Sequence, residues 1–344
     1  MIRCLLALVA LLAFTFQTAF AQDLDSLTGL DAYQPQQPVT GTIRSRGNNY
    51  TIALMKLWEE GFLKHHPTVR FETTLNGSET AVAGLYGGIA DVGFLGREIY
   101  QPENEAFEEW FGYKPLGIEV TTGSYDNPHK TFALMIFVHK DNPLSQLTMA
   151  QIVGIIGCEP TPGGKGPMRT WGQLGLTGEW ASRPLDVYGY GADSGFGRFF
   201  RMLILNDSYR WNSELKEFYN AKAADGSDID SGQLILDALA KDPYGIAYSN
   251  VSYMNSNVKT LAVASKDGGP FMKPTKENVW KRTYPIARFT TVFINRAPGK
   301  PVEPKVREFL RYILSRDGQE AVLREGSYLP LTADVIRDQL RKLE

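Results

Sequence analysis

Apolar positions along this chain follow two spacings in turn, one typical of β-strands and one typical of helices. Short continuous or alternating apolar runs predict strands, and apolar residues three and four positions apart predict helices. The predicted strands cover residues 40–46, 69–75, 90–95, 132–139, 184–190, 244–249 and 286–294. The predicted helices cover residues 51–64, 79–88, 147–156, 196–205, 233–240, 302–314 and 318–324. Strands and helices that alternate in this way indicate an α/β fold.

Three polar turns connect a predicted strand to the helix that follows it. They read Gly-Asn-Asn at 47–49, Asn-Gly-Ser at 76–78 and Gly-Ala-Asp-Ser-Gly at 191–195. One such turn alone is best explained as a helix N-cap. Three in one α/β chain favour a shared ligand site, because such loops gather at the carboxyl ends of the strands in open α/β sheets. Backbone N–H groups at a helix N-terminus bind anions without any charged side chain.

The N-terminus predicts a cleavable signal peptide over residues 1–21. Arg3 precedes an uncharged, mostly apolar stretch at 4–16, and small residues precede the expected cleavage point. This stretch is shorter than the roughly 20 residues that span a bilayer. Cys4 lies inside it and is not placed for a lipoprotein anchor. We therefore expect a protein that is periplasmic or secreted, with a polar, loose arm at 22–38 after the signal peptide.

Composition excludes several classes of protein. The 344 residues contain 36 basic and 38 acidic side chains, so there is no basic excess to hold nucleic acid or an anionic membrane. The length indicates about two domains. Two cysteines exclude a disulfide framework, and four scattered histidines do not have the spacing of metal ligands. We expect no cofactor and no metal.

The sequence around Ser194 reads Asp-Ser-Gly and superficially resembles the surroundings of a serine-protease nucleophile. A catalytic triad also needs a partnered histidine, and the sequence offers no evident one. A secreted serine hydrolase is therefore the weakest of the functions considered, and we expect a protein that is not an enzyme.

Several short segments, taken in their order and spacing, carry a resemblance to a known family. They are Asn-Gly-Ser-Glu-Thr at 76–80, Gly-Ile-Ala-Asp-Val-Gly at 88–93, Leu-Thr-Met-Ala-Gln-Ile at 147–152, Trp-Gly-Gln-Leu-Gly at 171–175 and Ser-Arg-Asp-Gly-Gln at 315–319. Over about 40–331 the chain resembles the phosphate-binding proteins of Pst-type ABC transporters, within the type II periplasmic binding-protein superfamily.

The resemblance implies a two-lobed α/β fold with a hinge and an interdomain cleft. The first lobe would hold residues 39–123 and 281–344, and the second would hold residues 124–280. It also implies a monomeric, exported receptor that binds inorganic phosphate or a related oxyanion in the cleft. The receptor would deliver this ligand to ABC permease subunits.

The family's ligand-binding residues match this chain unevenly. The serine of the second loop matches Ser78, and the Ser-Gly pair of the third loop matches Ser194 and Gly195. Tyr190 stands where the family has an arginine, and Gly96 stands where it has a carboxylate. The expected ligand-binding residues are Asn48, Asn49, Tyr50, Thr51, Ser78, Glu79, Thr80, Arg97, Tyr190, Asp193, Ser194, Gly195 and Phe196.

These replacements leave two alternatives open. Arg97 could supply the missing positive charge, or it could form a structural salt bridge. Aromatic side chains such as Tyr50, Tyr190 and Phe196 could fill a smaller cleft, or they could line a pocket for a sugar-, nucleotide- or organic-anion-like solute. The same fold could also act as a sensor rather than in transport.

Overall fold

The computed structural model describes residues 27–128, 130–158 and 166–344. The predicted signal peptide, the first residues of the arm and part of the glycine-rich loop after 157 lie outside these ranges. The chain forms two compact units. Of the described residues, unit 1 holds 27–122 together with Phe289–Glu344, and unit 2 holds those within Gly123–Arg288.

The described residues form a mixed α/β fold, as the sequence predicts. The strands are β1 (Gly41–Gly47), β2 (Val69–Thr74), β3 (Val92–Leu95), β4 (Leu116–Thr122), β5 (Met135–His139), β6 (Gln146–Thr148), β7 (Asp186–Tyr190), β8 (Lys216–Phe218), β9 (Ala221–Lys222), β10 (Asp228–Ile229), β11 (Gly245–Ser249), β12 (Val258–Thr260), β13 (Ala262–Ala264) and β14 (Phe289–Ile294). The helices are α1 (Ile52–Leu63), α2 (Glu79–Tyr86), α3 (Gln101–Phe111), α4 (Met149–Ile156), α5 (Gly195–Ile204), α6 (Ser231–Leu239), α7 (Lys276–Trp280), α8 (Pro304–Ile313), α9 (Arg316–Glu325) and α10 (Ala333–Arg341).

Unit 1 is built on a five-stranded sheet in the order β2-β1-β3-β14-β4. β1 is parallel to both β2 and β3, whereas β14 is antiparallel to β3 and β4. Because β1, β2 and β3 are parallel, their carboxyl ends lie at one edge of the sheet, and the polar turns before α1 and α2 follow two of them. The sheet therefore brings these two turns to the same edge.

Helix α1 anchors the core of unit 1. Its apolar residues recur at helical spacing, and Trp58 and Phe62 are fully buried. The Trp58 ring stacks on Phe94 with 6.1 Å between centroids, and its Nε1 donates to the Gly318 carbonyl at 2.8 Å. This contact joins the N-terminal segment to the C-terminal helices in one core.

Unit 2 is built on a second five-stranded sheet in the order β12-β5-β11-β7-β8. β7 runs parallel to β8 and β11, and β5 is antiparallel to β11 and β12. The Phe200 ring of α5 stacks on Tyr248 of β11 at 4.0 Å. The third polar turn follows β7, so the sheet and this stacked pair fix the start of α5.

Most of the predicted elements are confirmed with shifted ends, but several predictions are wrong. The predicted strand 132–139 begins at Met135, and the predicted helix 147–156 begins at Met149 because residues before it pair with β13. Helices α3 and α10 were not predicted. In α3 only Phe107 is buried, so the helix has almost no apolar periodicity to detect.

The expectation of a loose arm is wrong for its described part. Tyr33 is only 4% exposed, and its hydroxyl donates to Glu308 of α8 at 2.6 Å. Its backbone N–H donates to Asp317 at 2.7 Å, and its ring contacts Tyr312 edge-on. The composition of the arm suggested a tether, but one buried aromatic residue is enough to attach it to unit 1.

Candidate functional site

The first polar turn, in unit 1, is organised by Asn48. Its side chain accepts from the Tyr50 backbone N–H at 3.1 Å and so caps a single 3-10 turn, Asn49–Thr51, that leads into α1. Asn48 and Thr51 are buried, whereas Asn49 and Tyr50 are exposed. The Thr51 hydroxyl donates to the Asn48 carbonyl at 2.7 Å. Of these predicted ligand-binding residues, Asn49 and Tyr50 present their side chains to solvent.

Asn48 also explains why position 96 is glycine. A Cβ built on Gly96 would lie 1.8 Å from the Asn48 side-chain nitrogen. Any side chain at 96, the family's carboxylate included, would therefore displace Asn48 from its capping position. The asparagine of the first turn and the glycine after β3 thus depend on each other.

The second polar turn places Ser78 and Glu79 at the start of α2. The Ser78 hydroxyl oxygen accepts from the Gly96 N–H at 3.2 Å, which ties this turn to the end of β3. The Thr80 hydroxyl donates to the Gly77 carbonyl at 2.8 Å. The Glu79 side chain is exposed and is the acidic residue in the first turn of the helix.

Arg97 is held by carboxylates of its own unit. It is 9% exposed and makes two hydrogen bonds of 2.8 Å to Glu103 of α3, while Glu79 lies 3.5 Å away. Its guanidinium also lies 3.7 Å from the centroid of the Tyr100 ring. Burial opposes the charged form, but the hydrogen bonds and charge of Glu103 outweigh it, so the pKa of Arg97 is raised. The charge of Arg97 is thus already compensated by its salt bridges.

The third polar turn, in unit 2, starts α5. The Ser194 hydroxyl oxygen accepts from the Gly197 N–H at 3.0 Å, which is the N-cap contact expected of serine. Asp193 and Gly195 are exposed, and a Cβ on Gly195 would meet no heavy atom within 4 Å. The space around Gly195 is therefore more open than that around Gly47 or Gly77 in the other two turns.

Aromatic rings lie behind the third turn. Phe196 stacks on Phe132 with 4.3 Å between centroids and an angle of 15°, and it lies 4.8 Å from the Tyr190 ring. Tyr190 is 1% exposed, and its hydroxyl lies 3.4 Å from that of Ser249. Burial raises the pKa of Tyr190. Tyr190 is therefore part of the core of unit 2, while Phe196 is half-buried at its margin.

Sequence reasoning missed Glu217 and Tyr219, which also border the third turn. The Glu217 carboxylate accepts from the Ala192 N–H at 2.7 Å and from the Tyr219 hydroxyl at 2.8 Å. The hydrogen bond to Glu217 raises the pKa of Tyr219. The only sequence signal was the strand-like run that becomes β8, which is too short to be predicted alone.

Several backbone N–H groups at the starts of these helices have no hydrogen-bond acceptor among the described residues. Over the described ranges, the N–H groups of Glu79 in unit 1 and of Gly195 and Phe196 in unit 2 have no hydrogen-bond partner. These are first-turn positions, where an α-helix cannot satisfy its own donors. Each unit therefore offers N–H donors and the positive end of a helix dipole to an anion.

The described residues show neither a metal-binding cluster nor a membrane-spanning helix. Among the described residues, no cluster of three or more His, Cys, Asp or Glu side chains is arranged to hold a metal ion. None of the described helices has the length and apolar character needed to cross a membrane.

Comparison with known proteins gives a consistent result. A family model described as a PBP superfamily domain matches residues 32–317. The phosphate-binding protein PstS of Pseudomonas aeruginosa is 34% identical over 336 residues, which cover 96% of this chain and 97% of that protein. Protein SphX of Synechococcus elongatus is 24% identical over 85% of this chain and 78% of its own length.

Solved structures support the same fold. The crystal structure of PstS from Borrelia burgdorferi aligns with a TM-score of 0.56 at 18% identity, covering 85% of this chain and 99% of that one. An ABC-type phosphate transport receptor from Vibrio cholerae aligns with a TM-score of 0.52 at 18% identity, covering 83% and 99%. The chain belongs to the PBP superfamily, in the family that includes the PstS protein of Pseudomonas aeruginosa.

Proposed function

We propose that this chain is the solute-binding protein of an ABC transporter and that its ligand is inorganic phosphate. The relative that matches it over nearly its whole length at 34% identity is named as a phosphate-binding protein. The expectation that the ligand binds in a cleft between two lobes is part of this proposal.

The observation that carries the proposal is the set of open amides at two helix starts. The N–H groups of Glu79, Gly195 and Phe196 are free to donate within the described residues. The hydroxyls of Ser78 and Ser194 each accept a backbone N–H, which leaves the hydroxyl proton of each available as a further donor. A tetrahedral oxyanion needs several such donors when it leaves water.

Backbone donors matter at the start of α2 because the charge of Arg97, the arginine that follows β3, is already compensated. Arg97 forms two hydrogen bonds with Glu103 and therefore contributes little net charge to a ligand. Helix dipoles and charge-assisted hydrogen bonds from N–H groups can stabilise an anion without a free arginine. The proposal therefore assigns recognition to the backbone of α2 and α5.

The test is calorimetric titration of the chain from Gln22 onward, stripped of ligand by unfolding and dialysis. We expect saturable one-to-one binding of phosphate. Ser78→Ala should weaken it by roughly tenfold, since a hydrogen bond to a charged group contributes about 1.5 kcal/mol or more. The control is Ser315→Ala, which removes a capping hydroxyl of the same unit at the start of α9. Absence of both heat and thermal stabilisation at millimolar phosphate would overturn the proposal.

We further propose that the protein is exported to the periplasm or secreted and acts as a monomer with permease subunits. The signal-peptide pattern at 1–21 supports export. Mass spectrometry of the protein purified from its own cells should give an N-terminus at Gln22. Sedimentation should give a mass of one chain. A retained leader or a dimer would contradict this part of the proposal.

We propose no catalytic role for Ser194. Its hydroxyl oxygen already accepts the Gly197 N–H as the cap of α5, which is a structural use of the side chain. Incubation with chromogenic esters should give the same background rate for the native chain and for Ser194→Ala. Hydrolysis that disappears in the variant would contradict this assignment.

A further inference from the structure

A carboxylate is fixed against the third polar turn. Glu217 lies on β8 opposite Gly189 of β7, and its Oε2 accepts from the Ala192 N–H at 2.7 Å. The Tyr219 hydroxyl donates to the same oxygen at 2.8 Å. A Cβ on Gly191 would lie 2.1 Å from the Tyr219 ring, so the ring rests directly on the turn. Two hydrogen bonds and a packed ring therefore hold the charge of Glu217 in place.

The side chains that border this turn carry charges of both signs, because the guanidinium of the buried Arg288 lies 5.2 Å from the centroid of the Phe196 ring. Asp193 is exposed in the turn itself, and together with Glu217 it raises the pKa of Tyr219. Lys216, the neighbour of Glu217, forms a salt bridge of 2.5 Å with Asp186. An anion that approaches the open amides of α5 therefore meets a carboxylate already bound to the same turn.

The carboxylate is close enough to act on a ligand. Ala192, which it binds, lies three residues from Gly195, so their Cα atoms are at most about 11 Å apart. This is comparable to the screening length of roughly 8–10 Å in physiological salt. Because Coulomb repulsion is proportional to the charge of the ligand, a doubly charged anion is repelled twice as strongly as a singly charged one.

We propose that Glu217 is a specificity-determining residue that shifts the preference at the start of α5 from doubly charged towards singly charged oxyanions. Its carboxylate competes with the ligand for the positive potential of this turn. The inference rests on the proposed function, since it concerns how the same backbone donors select among oxyanions.

The test compares the native chain with Glu217→Gln at about pH 5.5 and at about pH 8.5, where phosphate carries mostly one and mostly two charges respectively. Glutamine keeps an oxygen to accept the Ala192 N–H, so the variant removes the charge and preserves the hydrogen bond. The control is Glu214→Gln, which makes the same charge change three residues away; both glutamates are exposed, but only Glu217 is hydrogen-bonded to the turn. Calorimetry with phosphate gives the dissociation constants.

We expect Glu217→Gln to lower the dissociation constant about fivefold at the lower pH and roughly 25-fold at the higher pH. Glu214→Gln should change it less than about twofold at either pH. Three results would overturn the inference. Glu217→Gln could change the dissociation constant no more than the control does, it could change it equally at both pH values, or it could weaken phosphate binding.

The outcomes for this inference and for the proposed function can be separated. Failure of the native chain to bind phosphate at either pH would contradict the proposed function. Binding by Glu217→Gln alone would then support the role of the carboxylate. If neither the native chain nor Glu217→Gln bound phosphate, the inference would be overturned as well, because removal of the carboxylate charge would not have allowed binding.

Discussion

The helix starts of the two units share a backbone arrangement but differ in what surrounds it. In unit 1 the start of α2 lies near a group of charged side chains, in which Arg97 forms salt bridges with Glu103 and Glu79. In unit 2 the start of α5 lies on aromatic rings, with Phe196 stacked on Phe132. Both starts nevertheless combine a serine with first-turn amides that are open within the described residues. This shared backbone is the basis of our proposal that N–H groups recognise the ligand, and we expect the side chains behind the two helix starts to contribute mainly to stability.

The largest expected effect is in the charged group of unit 1. Glu103→Gln should lower the free energy of unfolding by about 2–4 kcal/mol, because it leaves the buried charge of Arg97 without its main partner. Urea denaturation followed by the fluorescence of the tryptophans, of which Trp58 is buried in unit 1, measures this loss. Glu109→Gln, on an exposed position of the same helix, should change stability by less than about 0.5 kcal/mol. Equal effects of the two variants would show that Arg97 does not depend on Glu103.

A somewhat smaller effect is expected in the aromatic group of unit 2. Phe196→Ala should cost about 2 kcal/mol, roughly half of the cost of removing a fully buried phenylalanine, because the ring is half-buried. Thermal unfolding of the ligand-free protein provides the measurement, and Phe271→Ala, at a ring 37% exposed, serves as the control. If Phe196→Ala left stability unchanged and abolished phosphate binding, the aromatic group would line the ligand site, and the comparison would fail.

The smallest of the three stability effects concerns the packing of Asn48 against Gly96. Gly96→Ala should cost about 1–2 kcal/mol, because the added methyl group displaces Asn48 from its cap. In the background of Asn48→Ser, which has a shorter side chain, the same substitution should cost less than about 0.5 kcal/mol. A double-mutant cycle measures this coupling. Strictly additive effects would contradict the mutual dependence of the two positions.

The sequence predicts the local features of the site because they depend on neighbouring residues. Asn48 and Ser194 cap their helices through contacts two or three positions away, and such contacts follow from residue type. The strands that precede these turns are predicted from short runs typical of β-strands; burial alternates along β1 and is continuous over the last four residues of β7. The α/β fold and the positions of the turns could therefore be predicted.

Contacts with elements that the apolar pattern does not predict could not be predicted in this way. The partner of Arg97, Glu103, lies in α3, whose single buried residue gives no apolar period. Glu217 reaches Ala192 because β8 pairs with β7, and that pairing joins residues far apart in the sequence. The burial of Tyr190 likewise depends on elements that cover β7 from elsewhere in unit 2. These contacts arise from tertiary packing, which residue type and spacing do not encode locally.

The central claim is that backbone N–H groups at the helix starts bind the anion, and Gly195 allows one of them to be removed alone. Proline is tolerated at the first position of a helix, and Ser194 has the extended backbone that proline requires of its predecessor. Gly195→Pro therefore deletes the N–H, while Gly195→Ala keeps it, and the Cβ that both variants add meets no heavy atom within 4 Å. We predict that the dissociation constant for phosphate rises at least about tenfold in Gly195→Pro and stays within about twofold of the native value in Gly195→Ala. Equal affinities for both variants, with both proteins folded, would contradict the account.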